Sequence, residues 1–227
     1  MGEAFLEALR LIRELDGELI SVTMNSLRFS LASTALGGAL GVPAAVLLAF
    51  GRFPGRRGLI AVAHALMALP TVVIGLFVYS LLSRSGPFGG FDLLFTPAAV
   101  VTGQSILALP IVTSLTYGAV SGVEDELRET LITLGASGPR VVWKTFLEAR
   151  IGIATALLSA FGRVIGEVGI AMMLGGNIRW YTRTMTTALA LETQRGAFSL
   201  ALAMGIVLLA VALGVNLVIN WTVHRAA

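Results

Sequence analysis

Ser121-Gly122-Val123-Glu124-Asp125-Glu126-Leu127-Arg128-Glu129-Thr130-Leu131-Ile132-Thr133-Leu134-Gly135-Ala136-Ser137-Gly138-Pro139-Arg140-Val141-Val142-Trp143-Lys144-Thr145-Phe146-Leu147-Glu148-Ala149-Arg150 is a polar run in an otherwise apolar chain. It makes up nearly all of the segment 120–150, between apolar stretches 97–119 and 151–174. Helix–helix connections are usually far shorter, so a long structured one has a job. Leu127, Leu131 and Leu134 recur at helical spacing and fall on one face. Acidic residues crowd the start, where the helix dipole is positive. Gly135 supplies a helix stop, and Pro139 fits the first turn of a second helix. The spacing predicts a helix–turn–helix outside the membrane. The plainer alternative is an amphipathic hairpin with no partner.

Working outward, the flanks are apolar on both sides. Stretches 24–50, 59–82, 97–119, 151–174 and 197–221 are each near the ~20 residues that cross a bilayer. Of the 227 residues, 56% are hydrophobic and only 13% charged, with a mean hydropathy of +0.87. Soluble domains carry roughly 25% charged residues, so lipid must cover much of this surface. The fold class is an all-α integral membrane protein of about five transmembrane helices. Pro43, Pro70 and Pro110 lie inside spans, where each removes a backbone donor and can kink its helix. Gly37-Gly38-Ala39-Leu40-Gly41 lets helices approach closely. Bent, close-packed helices suit a moving pathway, although both features are also common in static membrane bundles.

Residues 1–21 contain Glu3, Glu7, Glu14, Asp16 and Glu18 and lack the apolar run of a secretory signal. Phe5, Leu9, Ile12, Leu15 and Leu19 predict an amphipathic helix at the interface, with a frayed polar tail as the alternative. The connection Gly51-Arg52-Phe53-Pro54-Gly55-Arg56-Arg57-Gly58 is short and carries three cations, which puts it in the cytoplasm. Alternation then puts 120–150, with Arg128, Arg140, Lys144 and Arg150, on the same side, together with Arg225 and the short tail 222–227. The acidic N-terminus and segments 83–96 and 175–196 fall outside. Tyr79, Trp180 and Tyr181 suit the outer interface, and Tyr117 and Trp221 the inner one.

Several chemistries are excluded. With no cysteine there is no disulfide, iron–sulfur cluster or thiolate zinc site. His64 and His224 are far apart, which argues against a histidine metal site. The basic residues are scattered, which argues against nucleic-acid binding. The only lysine, Lys144, follows Trp143 rather than glycine, so the chain has no P-loop. Span four carries Arg163 and Glu167, four residues apart and able to pair. Ionised groups at that depth face the bundle interior or a water-filled path. Their role is either a pathway gate or a structural ion pair. Arg28 snorkels toward the outer interface, and His64 serves packing or a helix–helix hydrogen bond.

The insert resembles the coupling loop of type I ABC importer permeases. Glu129 stands six residues before Gly135 and Leu147 twelve after it, as that family's pattern requires. Thr130, Leu131, Thr145 and Glu148 depart from it. The stretch from Phe161 through Arg163, Gly166-Glu167 and Gly169 to Gly176-Asn177, followed by Thr182-Arg183-Thr184, resembles the molybdate and tungstate importer permeases. The continuation Met185–Thr193 is more similar to the tungstate type. The resemblance covers about residues 22–221.

It implies a permease domain over 22–221 and a prokaryotic cytoplasmic-membrane location. It also implies a machine with a second permease copy, two ATPase subunits that use ATP and Mg²⁺, and an extracellular or periplasmic oxyanion-binding protein. The chain itself would hold no cofactor and carry out no covalent chemistry. Glu129, Gly135, Ala136 and Ser137 would seat in the ATPase, while Arg163, Glu167, Asn177, Thr182 and Arg183 would belong to the translocation pathway or gate. Arg179, Arg183 and Arg195 could contact the binding protein or attract an anion, or lie in a solvated loop. Two rivals remain. A secondary transporter would show paired internal repeats, and none is visible. An intramembrane enzyme would need reactive pairs beyond Arg163 and Glu167.

Overall fold

The structure, a computed structural model, describes residues 2–123 and 125–224. Glu124, among the acidic residues at the predicted helix start, and Arg225, the predicted cytoplasmic cation, lie outside the described residues. The described residues are helical with no strand.

Helix α1 (Gly2–Arg13) is the amphipathic N-terminal element, and it is shorter than its apolar pattern. It ends before Leu15, which takes a left-handed φ of 53°. Asp16 then caps α2 (Gly17–Phe50) by accepting from the Glu18 and Leu19 amides. The first span therefore begins at residue 17, inside the stretch read as the N-terminal segment. Leu19 belongs to α2, not to the amphipathic helix. At 34 residues α2 is about 51 Å long, more than the roughly 30 Å hydrocarbon layer needs.

The second apolar stretch divides into α3 (Arg56–Leu66) and α4 (Thr71–Leu82), bent by 103° across Met67–Pro70. Leu69 precedes proline, which disfavours helical φ/ψ, and Pro70 occupies the cap of α4. Pro43 and Pro110, by contrast, lie inside the unbroken helices α2 and α5 (Pro97–Ser121). The coupling segment forms α6 (Asp125–Thr133) and α7 (Gly138–Glu148). The fourth stretch divides into α8 (Arg150–Ile165) and α9 (Gly169–Gly175), bent by 62°. The segment 175–196, read as a connection, contains a further helix, α10 (Met185–Gln194), before the last span α11 (Phe198–His224). Among the described residues three helices are long and apolar enough to cross a membrane, and up to five spans result if each bent pair counts as one.

The core lies where α4, α5, α8 and α9 meet, with α2 packed against it. A Cβ on Gly37 would come within 2.8 Å of Ala108 Cβ, and one on Gly38 within 2.7 Å of Leu157 Cδ2. The glycine stripe thus sets the approach of α2 to α5 and α8. Helix α9 packs Ile170 and Leu174, both fully buried, against α4 and α5. A second cluster joins α1, α2, α10 and α11 through Ala8, Leu19, Val22, Met185, Ala188 and Met204. Helix α3 buries none of its side chains. His64, on α3, bonds its ring Nδ1 to the Ile60 carbonyl of its own helix and sets its ring edge-on to Tyr117 of α5.

Candidate functional site

Two places gather the residues singled out by sequence. The first is the coupling segment. Gly135 adopts φ +76°, a left-handed conformation that costs a residue with a Cβ energy and glycine little. Its amide donates to Ile132 O and the Ala136 amide to Leu131 O, which closes α6. The Ser137 carbonyl accepts from Arg140 and Val141, opening α7 with Pro139 in its first turn. Glu129 is exposed on α6, and its carbonyl accepts from the Thr133 hydroxyl.

The helix stop has a consequence the leucine spacing did not reveal. Leu134 lies beyond the end of α6 and stands 78% exposed, so it does not share the half-buried face of Leu127 and Leu131. Ile132 and Trp143 are exposed as well, with Trp143 stacked on Phe146 at 5.8 Å. Val141 and Thr145 are buried and root α7 in the bundle. The segment is a helical projection with an apolar tip.

The second place is the junction of the bent fourth span with α10. Glu167 sits in the break between α8 and α9 and is 4% exposed. Its Oε2 pairs with Arg163 at 3.0 Å, while Oε1 accepts from the Gly169 and Ile170 amides at 2.8 and 3.3 Å. The Thr186 hydroxyl of α10 donates to the Glu167 carbonyl at 2.9 Å. One residue thus ties three helices. The pair is asymmetric: the carboxylate is buried, and the Arg163 side chain is 48% exposed. A Cβ on Gly169 would approach Val72 and Thr71, so the break in the fourth span abuts the start of α4 just after the break in the second.

The Thr182-Arg183-Thr184 element is buried, not solvated. Thr182 is fully buried, donates its hydroxyl to Gly175 O and accepts from the Ile178 amide. Arg183 is 7% exposed and pairs with Glu18 of α2 at 2.6 Å and, more distantly, Glu192 of α10 at 3.9 Å. Its guanidinium is therefore committed to two carboxylates. Arg195 also reaches Glu192, and Arg179 reaches Glu18 while lying over the Trp180 ring. Asn177, at φ 51°, holds the Thr187 carbonyl through its amide nitrogen.

Sequence reading missed Glu18, Glu192, Thr186, Asn25 and Ser26. Asn25 donates to the Tyr181 and Arg183 carbonyls, and the Ser26 hydroxyl accepts from the Met185 amide. A local signal for α10 existed: Thr184 and Thr187 form a reciprocal cap three residues apart. The partners on α2 had none, because they are about 160 residues away in sequence.

Comparison with known proteins agrees with this architecture. The family described as "Binding-protein-dependent transport system inner membrane component" matches residues 41–226. The chain belongs to this family. Family members are multi-pass transport components of the inner membrane. The chain is 43% identical over 203 residues to a "Probable anion ABC transporter permease protein" of Haloferax volcanii, covering 87% of this chain and 88% of that one. It is 35% identical over 216 residues to the "Tungstate uptake system permease protein TupB" of Campylobacter jejuni, covering 95% and 90%. Among solved structures, an inward-facing form of the MetNI methionine ABC transporter superposes with a TM-score of 0.74 at 17% identity, covering 94% and 98%. That last likeness speaks for the fold alone.

Proposed function

We propose that this permease is the membrane-spanning subunit of an ATP-driven oxyanion importer, with tungstate as the transported anion. The relatives named for anion and tungstate transport support the solute class, since their likeness runs over nearly the whole of each chain. The observation that carries the coupling role is the projecting α6–α7 hairpin, whose apolar tip at Ile132 and Leu134 has no cover. A tip of this kind fits a groove in a separate ATPase subunit, where Glu129, Gly135, Ala136 and Ser137 would seat. That subunit would bind ATP and Mg²⁺. Two ATPase copies, a second copy of this chain and an outer oxyanion-binding protein complete the proposed machine.

In this reading the Arg-bearing loop 51–58 and the hairpin face the cytoplasm, and α1 and α10 lie at the outer side. Closure of the ATPases would push on α7, which packs through Val141 and Thr145, and so tilt α5 and α8. The Arg163 guanidinium, held by Glu167 and half exposed, is the candidate anion contact in the pathway. Thr182, Asn177 and Arg183 serve that pathway by fixing the outer end of the broken span, not by touching the anion.

Co-purification tests the assembly. The full-length chain should bring down an ATPase subunit, and Leu134→Asp should abolish the association while leaving the chain folded. Retained association in that variant would remove the hairpin from the coupling role. For the solute, the partner binding protein should take tungstate more tightly than molybdate or sulfate. Tight sulfate binding with neither of the others would overturn the assignment.

A further inference from the structure

The far end of the second bent span carries a feature that coupling and pathway leave unused. Helix α3 stands off from the bundle, and between it, α2 and α5 runs an apolar groove of about 290 Å³. Leu47, Leu59, Val62, Leu66, Leu109 and Pro110 line it. At its mouth, sharing Phe53 with it, opens a recess lined by Arg52, Arg56 and Arg57. Arg56 is anchored: its guanidinium donates to the Leu48 and Ala49 carbonyls at the end of α2. That anchor fixes the loop and leaves Arg52 and Arg57 exposed on either side. Neither makes an ion pair among the described residues, and no acidic residue occurs in the sequence between Glu18 and Asp92.

We propose that this groove and its basic mouth form a binding site for an anionic phospholipid, with the phosphate at Arg52 and Arg57 and an acyl chain along α3. Dimensions agree. Eleven residues of α3 rise about 16 Å, close to half of a roughly 30 Å hydrocarbon layer. The groove ends at Leu109 and Pro110, near the middle of α5, so it spans one leaflet. Charge agrees as well, because cations at a membrane surface next to an apolar cleft favour anionic headgroups. A second copy of the chain fits the site less well. A two-fold contact through this face would oppose the same arginines, with no carboxylate from this region between them. The site would hold α3 against the bundle, which the helix's own side chains do not do by burial. This inference rests on the membrane reading and not on the identity of the transported solute.

The test is native mass spectrometry of the full-length chain extracted from vesicles containing equal phosphatidylglycerol and phosphatidylcholine. The wild type should retain phosphatidylglycerol in preference. Arg52→Gln with Arg57→Gln should reduce that preference by about 30-fold. Val62→Trp should fill the groove and expel lipid of either kind. Arg13→Gln, at the end of α1, should change nothing. An unchanged preference in the double variant would contradict the proposal. A wild-type measurement stands beside the variants: photoactivatable phosphatidylglycerol should label residues 47–66. Labelling elsewhere, or a cross-link from Leu59 to a second copy of the chain, would overturn it.

Discussion

The two bent spans use the same device and hold it differently. In the fourth span the break at Gly166–Val168 is filled by Glu167, which binds Arg163, two amides of α9 and the Thr186 hydroxyl. In the second span the break at Met67–Pro70 bends further, 103° against 62°, and α3 on its N-terminal side buries nothing. A break held by a buried charge network is locked, whereas one set only by proline sterics and apolar contact can swing. The fourth span with α10 therefore forms a frame held by buried polar contacts, whereas no buried side chain holds α3.

Glu167→Ala should break the contrast most severely. It leaves the Gly169 and Ile170 amides without an acceptor, a loss of about 2–4 kcal/mol, to which the half-exposed Arg163 adds little because water screens it. Thermal unfolding of the detergent-solubilised chain should show it. Arg183→Met comes next, at about 2–3 kcal/mol, because Glu192 keeps only Arg195, and Glu18 only the exposed Arg179. Pro70→Ala should cost under about 1 kcal/mol, since no hydrogen-bond network depends on that break. Equal losses for Glu167→Ala and Pro70→Ala would erase the distinction between locked and loose spans.

A paired substitution sharpens the role of the fourth span. Arg163→Met with Glu167→Gln removes both charges but keeps an oxygen acceptor for the α9 amides. Stability should stay within about 1 kcal/mol of wild type. If the half-exposed guanidinium meets the anion, uptake should still fall by about ten-fold or more. Normal uptake would leave the pair a structural one. A small change in stability, comparable to that of Pro70→Ala, is expected for Gly135→Ala. The left-handed φ of +76° costs alanine about 1 kcal/mol locally, and a Cβ there meets no neighbour. Its readout is ATP hydrolysis, which should lose its dependence on transport while the bundle melts unchanged.

Apolar length marked five stretches, of which three are single long helices and two are bent pairs, and Gly135 with Pro139 marked both ends of the turn between α6 and α7, because helix stops and starts are local chemistry. The breaks were harder to see. Pro43, Pro70 and Pro110 look alike in sequence, yet only Pro70 ends a helix. Helices α2 and α5 run unbroken through the other two prolines and approach closely at Gly37 and Gly41, and that packing is invisible locally. Arg163 and Glu167 were legible as a pair at helical spacing. That Glu167 would leave the helix and cap α9 was not legible, since the following Val168-Gly169 reads as ordinary span. Helix α10 was hidden for a different reason: it is too short to cross a membrane and sits among polar residues. Arg183, just before it, meets Glu18 of α2 and Glu192 of α10 only after the chain has folded back on itself.

Transport in sealed vesicles tests the central claim most directly. The permease, its ATPase and its binding protein would be reconstituted together, and tungstate uptake followed with and without ATP. The account predicts uptake that needs ATP and all three components and that stops when Leu134→Asp breaks the coupling contact. Uptake that continues without the ATPase, or that ignores tungstate and other oxyanions, would contradict it.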